Sequence, residues 1–307
     1  MGQSETAIYH SEVYEGIEYT YAYPLNVTDP PLVWYNTGSG DQYRPQFFQT
    51  FLTHGYAVIQ CYKNGLTGYE KWSNWTEAQT NYTTALNILV PYVLGDSFPY
   101  RDTFNHSAVV AYGWSCGGGA WLNLNYSSFR GLVASTPAYA LEPAVNVYPV
   151  LIITGENDSV TPSASNGEKY YGLIGADKFF IQQKNMGHEE YANLNYTFAF
   201  YDWVINGSQS ALSYVEEAGG DPFVAMANYL LVAPSPSPSP TPSPSPSPMA
   251  TAVSAEPTPH ATVKVIKTVS PTPAIPEVSL CAVAALMLFV VVFVVVVKKA
   301  NPLSKRL

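Results

Sequence analysis

With 307 residues, 47% of them apolar and 12% charged, the chain has room for one domain of about 200 to 250 residues or two smaller ones, and it is neither disordered nor collagen-like. The net charge of −9 divides unevenly: residues 1–232 carry 8 Lys+Arg against 21 Asp+Glu, and the remainder carries 6 against 2. An acidic body argues against a nucleic-acid partner, and Cys61, Cys116 and Cys281 are too few and too scattered for a disulfide framework or a zinc site, leaving a Cys61–Cys116 bridge as the one structural pairing to consider.

In chain order, residues 7–35 are rich in Tyr, Val and Ile and alternate as three strands, AIYHSEVYEG, IEYTYAYPL and PLVWY. A Gly-Ser-Gly turn at 38–40 leads to a helix around 44–54, a strand at 56–61 and a long helix at 75–94. There follow a strand at 108–113, a small-residue helix from Cys116, strands at 131–136 and 149–154, a helix at 163–174, a strand at 178–183 and a helix at 190–205. This alternation predicts an α/β fold, a mostly parallel eight-stranded sheet flanked by helices. Residues 209–232 are expected to add one or two packing helices, completing a body of 1–232.

Residues 233–277 form a Pro/Ser/Thr tract, which cannot build ladders or a core because proline lacks the amide donor; it reads as a stalk that reaches more than roughly 100 Å at 3.1 Å per residue. Residues 278–297, VSLCAVAALMLFVVVFVVVV, are twenty without a charge, enough as a helix to cross about 30 Å of hydrocarbon. The basic tail 298–307, with Lys298, Lys299, Lys305 and Arg306, should be cytoplasmic. Ile275-Pro276-Glu277, the apolar run and the basic end together resemble C-terminal sorting signals processed by exosortase- and archaeosortase-type enzymes, so a sorting enzyme is an expected partner.

Eight Asn-X-Ser/Thr sequons, at Asn26, Asn74, Asn81, Asn105, Asn125, Asn157, Asn195 and Asn206, favour an exported, glycosylated body over one whose sequons go unused. The start MGQSETAIYH has neither the basic nor the apolar region of a secretion signal. Two topologies stay open: a signal peptide missing from this start, which the sequons and stalk favour, and a tail-anchored chain with its body in the cytoplasm. Met1-Gly2 with Thr6 fits a myristoylation pattern and is read as coincidence.

Residues 108–120, AVVAYGWSCGGGA, put Gly113-Trp114-Ser115-Cys116-Gly117 between an apolar strand and a small-residue helix. This is G-x-S-x-G, whose serine sits on a sharp strand-to-helix turn, with glycines where side chains would collide with neighbouring backbone. A serine nucleophile needs a histidine base oriented by a carboxylate. Of the five histidines, His10, His54 and His106 precede the serine and His260 lies in the stalk, which leaves His188 in Asn-Met-Gly-His. The carboxylate should follow the strand between serine and histidine, where PVLIITGENDSVTP offers Glu156 and Asp158. Asp158, in the loop above the strand end, is the expected acid; the alternative is Glu156, with Asp158 as a helix cap. Ser115, Asp158, His188 is the chain order of an α/β-hydrolase.

The oxyanion hole needs two backbone N–H groups, one from Cys116 and one from the Thr37–Asp41 turn, where Ser39 is chosen and Gly38 and Gly40 remain alternatives. The Cys116 thiol has no spare base and reads as a packed group. No cofactor and no metal are called for.

These motifs resemble the α/β-hydrolases of the dienelactone-hydrolase and cutinase-like polyester-hydrolase type, which include enzymes that cleave poly(ethylene terephthalate). The resemblance runs from about Leu32 to Trp203 and rests on His54-Gly55-Tyr56, Gly113 to Gly119, Glu156 to Pro162 and Gly187-His188. It implies Trp114 and Tyr139 as the residues flanking the ester. Ser39 stands where that group usually has an oxyanion-loop aromatic, no cysteine matches its C-terminal disulfide, and Ser115 stands where dienelactone hydrolases carry cysteine. The expected function is a surface-anchored serine esterase acting through an acyl-enzyme; a peptidase or acyltransferase on the same triad and a non-catalytic cell-surface binding domain are the alternatives. Residues 116–148 leave no room for a helical lid, so the cleft should be open and should prefer short or aromatic acyl groups.

Overall fold

A computed structural model describes residues 7–38, 45–64, 75–143, 147–189 and 194–232. The three N-terminal strands are β1 (Ala7–Tyr14), β2 (Ile17–Pro24) and β3 (Pro31–Asn36), followed by α1 (Pro45–Thr53), β4 (Ala57–Asn64) and α2 (Trp75–Leu94). Next come β5 (Asn105–Trp114), α3 (Cys116–Leu122), β6 (Phe129–Ser135), β7 (Val150–Gly155), α4 (Gly167–Leu173) and β8 (Lys178–Gln183). The body closes with α5 (Leu194–Asn206), α6 (Gln209–Glu216) and β9 (Val224–Leu230). The stalk, the apolar run and the basic tail lie outside the described residues. Among the described residues no helix is long and apolar enough to cross a membrane.

The strands form one sheet in the order β1-β2-β4-β3-β5-β6-β7-β8-β9. From β4 to β8 neighbouring strands are parallel, while β1, β2 and β9 are antiparallel to their neighbours. Parallel strands carry helices on both faces and so read as continuous apolar runs. In β3, Leu32 and Trp34 join one core while Val33 and Tyr35 join the other. The same alternation splits Val109 and Ala111 from Val110 and Tyr112, and Val150 and Ile152 from Leu151 and Ile153. The first core is covered by α2, α3 and α4 through Leu86, Trp121 and Tyr170; the second by α1, α5 and α6 through Phe51, Phe200 and Leu212.

Two expectations are corrected. The sheet has nine strands, not eight: residues 209–232 supply α6, a 3₁₀ turn at Glu217–Gly220, and then β9, which pairs antiparallel with β8 from Lys178↔Leu230 to Gln183↔Val224. Apart from Val224, the residues of β9 are exposed or half-buried, so it carries no alternating signal and exists because β8 offers an open ladder. The helix expected at 163–174 is a 3₁₀ turn, Ser163–Ser165, followed by α4. Asn166 separates them at φ −125°, ψ −83°. Its amide donates to the Pro162 carbonyl and its Oδ1 accepts from the Tyr139 N–H, local bonds that compete with a continuous helix. Cys61 and Cys116 are both buried and not joined by a disulfide, and Cys61 Sγ accepts instead from Asn36 Nδ2 at 3.2 Å.

Candidate active site

Ser115 joins β5 to α3 at φ 52°, ψ −120°, a conformation that costs of order 1–3 kcal/mol in a non-glycine residue. Surrounding bonds hold it there. Its N–H donates to the Ser135 carbonyl at 3.0 Å, and its own carbonyl accepts from Gly119 and Ala138, each at 3.0 Å. The turn is possible only without side chains beside it: a Cβ on Gly117 would come within 2.2 Å of the Thr37 carbonyl oxygen. The segment after β3 is therefore pressed against the first turn of α3. Gly38 lies so close that a Cβ there would sit 3.0 Å from the Trp114 ring and 3.1 Å from Ser115 Cβ.

Cys116 opens α3, where the leading N–H groups have no intrahelical acceptor and are free to serve a ligand. Its thiol is a different matter: burial pushes it up to about 12, with a smaller opposing pull from a hydrogen bond to Ser115. A thiol so far above neutrality carries no nucleophile. Ser39, the residue chosen for the second oxyanion N–H, and Gly40 lie outside the described residues.

The turn after β7 delivers Asp158, and the turn after β8 delivers His188. Backbone bonds tie the two together, Glu156 N–H to the Gln183 carbonyl and Asn157 N–H to the Met186 carbonyl, both at 2.9 Å. His188 Nδ1 lies 2.8 Å from Asp158 Oδ2. The Asp158 side chain is wholly shielded while 15% of the His188 side chain is exposed, so the ring sets Nδ1 on a sealed carboxylate and stays partly open to solvent. Burial raises the Asp158 pKa, but hydrogen bonds from His188 and Thr161 outweigh it and hold the carboxyl below its ordinary value. Oδ1 accepts the N–H groups of Val160 and Thr161, each at 2.8 Å. Asp158 thus caps its own turn and faces the histidine at once. Glu156 is exposed, and its Oε2 accepts the Asn185 N–H at 3.1 Å.

Three further residues, Thr161, Trp75 and Tyr82, do not emerge from the sequence reading. Thr161 Oγ1 lies 2.7 Å from Asp158 Oδ2, 3.1 Å from His188 Nδ1 and 3.0 Å from the Thr136 carbonyl. Asp158 Oδ2 and Thr161 Oγ1 thus both lie within hydrogen-bond distance of His188 Nδ1. The signal for Thr161 was the Asp-x-x-Thr spacing, a common local turn in which side chain and backbone pair. Trp75, at the start of α2, lines a cavity of about 450 Å³ together with Thr76, Tyr139 and Ala140. Tyr82, on α2, donates to the Gly38 carbonyl at 2.8 Å.

Trp114 and Tyr139 are both half-buried. The Trp114 ring lies 5.2 Å from the His188 ring, centroid to centroid, at 35°. Tyr139 stands against the Tyr170 ring at 4.7 Å, with Lys169 Nζ 3.6 Å from its own ring centroid. The apolar wall expected at Tyr139 therefore carries a cation on one face. No cluster of metal-binding side chains occurs among the described residues.

A family model described as PET hydrolase-like matches residues 49–205, from α1 to the end of α5. The chain belongs to the PET hydrolase-like family. The matched part of this PET hydrolase-like chain takes in Ser115, Asp158, His188, Trp114 and Tyr139, and leaves out β1 to β3 with the segment around Ser39. Membership makes it an α/β-hydrolase and implies action on esters or polyesters. No curated protein matches the chain.

Proposed function

We propose that this PET hydrolase-like protein is a serine carboxylic-ester hydrolase that works through an acyl-enzyme. Ser115 Oγ attacks the ester carbonyl carbon and passes its proton to His188 Nε2, which returns it to the departing alcohol as the ester C–O bond breaks. Water, deprotonated by the same histidine, then releases the acid and restores Ser115. Asp158 orients His188 and stabilises the imidazolium. The Cys116 and Ser39 N–H groups receive the oxyanion, and Trp114 and Tyr139 flank the substrate. The observation that carries the reading is the 2.8 Å Asp158–His188 contact, with His188 in turn beside Trp114, the residue that precedes a serine held on a strained turn.

Substrate range follows from the walls of the cleft. The segment 136–149 has no helix or strand among its described residues, so no helical lid is built there. With Trp75 and Tyr139 on the neighbouring cavity, p-nitrophenyl benzoate should be turned over at least as well as the acetate, and the dodecanoate poorly. Tyr139→Ala should raise KM for the benzoate about three- to tenfold while KM for the acetate changes little, the range expected for losing an aromatic contact. A maximum rate on acyl chains longer than about ten carbons, whose burial requires a tunnel, would overturn this choice of substrate. Turnover of an aminoacyl anilide in preference to these esters would favour a peptidase.

The topology proposed is a glycosylated body at the cell surface, anchored by residues 278–297 with 298–307 inside. Its support is the run of uncharged residues, the basic flank, and the exposure of Asn26, Asn125, Asn157, Asn195 and Asn206 among the sequon asparagines. Protease added to intact cells should release an active body by cutting the Pro/Ser/Thr tract. If activity is protected until the membrane is broken, the body lies in the cytoplasm.

A further inference from the structure

Helix α2 presents to the first core a face made of Ala78, Ala85, Leu86, Leu89 and Val90, interrupted in its first turns by two polar side chains, Gln79 and Tyr82. They lie three residues apart, hence on one side of the helix. Both are buried, Gln79 completely and Tyr82 to within 5%. A buried polar group is costly without a partner; Tyr82 Oη and Gln79 Nε2 find theirs on the loops that flank Ser115, while Gln79 Oε1 is buried without one. Tyr82 Oη donates to the Gly38 carbonyl at 2.8 Å and lies 3.1 Å from Thr37 Oγ1. Gln79 Nε2 donates to the Ala138 carbonyl. Gly38 is the residue packed against Ser115 Cβ, and Ala138 is the residue whose N–H donates to the Ser115 carbonyl.

We propose that α2 is the positioning element of the nucleophile, with Tyr82 fixing the segment after β3, and Gln79 the segment after β6, at set distances from Ser115. A peptide unit is planar, so holding the Gly38 carbonyl removes one rotation from the loop that has to present an oxyanion donor. Neither residue touches the substrate; each acts through a main-chain group that borders the reacting serine. The role rests on the serine-hydrolase reading and adds to it the source of the preorganisation on which an oxyanion site depends. Charge develops on the substrate oxygen only in the transition states of acylation and deacylation, so loosening the loop should slow both steps and leave ground-state binding nearly intact.

The test compares wild type, Tyr82→Phe and Gln79→Leu as full-length protein, with p-nitrophenyl acetate and with a fluorophosphonate whose labelling also counts active sites. Tyr82→Phe keeps the ring in the core and removes only the hydroxyl. Per labelled site, kcat should fall about tenfold with KM within about twofold, and the rate of labelling should fall by the same factor, a fraction of what loss of a whole oxyanion donor produces. Gln79→Leu should show the same split between kcat and KM. A purely structural role would lower the thermal midpoint and the number of labelled sites while leaving kcat per site unchanged, and that result overturns the inference. So does a rise in KM at constant kcat. An active wild type with an unaltered Tyr82→Phe variant sinks this inference alone, whereas a wild type without turnover or labelling sinks the proposed function and this inference together.

Discussion

Ser115→Ala should abolish labelling by a fluorophosphonate and lower ester turnover by about three to six orders of magnitude, leaving only what binding and the oxyanion site achieve without a nucleophile. The wild-type chain should take one label, at Ser115. The expectation is sharp because, among the described residues around the site, no other group stands in for the serine. The nearest candidate, the Cys116 thiol, is pushed up to about 12 by burial, and its side chain is sealed inside the first core. The strain at Ser115 points the same way: alanine fits the turn no better than serine does, so the fold should be kept and the loss should be one of chemistry. Turnover that survives in Ser115→Ala would end the mechanism proposed here.

The parts of this molecule that the sequence spells out are those whose signal is local. Helix α2 spans 75–94 and β8 spans 178–183 as the patterns indicate, because each is a run with one period and clear breakers at its ends. The G-x-S-x-G turn is legible for the same reason, since the collisions that demand its glycines come partly from residues four or five positions along. What stayed hidden depends on partners far along the chain. The strand β9 has a weak pattern of its own and is fixed by β8, more than forty residues earlier. Tyr82 reads as one more aromatic on an apolar helix face until Gly38 is brought to it. The split at Asn166 comes from a side chain that prefers Tyr139 and Pro162 to the helix ladder. Between Glu156 and Asp158 the sequence alone kept both options, as both lie in one short turn; direction separates them, one carboxylate facing Asn185 and the other His188.

That separation sets the second large effect. Asp158→Asn should lower kcat by about four orders of magnitude, because an amide neither holds the imidazole in the required tautomer nor stabilises the imidazolium. Glu156→Gln should stay within a few-fold of wild type, since the amide oxygen still accepts the Asn185 N–H at an exposed position. Thr161→Val belongs between them, about tenfold down, as it leaves Asp158 in place but removes the hydroxyl that donates to its Oδ2 and lies 3.1 Å from His188 Nδ1. The pH dependence of stability follows from the same carboxylate. Asp158 is depressed in the folded chain, so the stability it contributes is fully present above the unfolded carboxylate value and is lost only as pH falls through the lower folded value. The contribution of Asp158 to folding is therefore intact throughout the range from about pH 8 to pH 5. Wild type should show no change in near-ultraviolet circular dichroism over that range. A Glu156→Gln variant more damaged than Asp158→Asn would show that the acid has been assigned to the wrong residue.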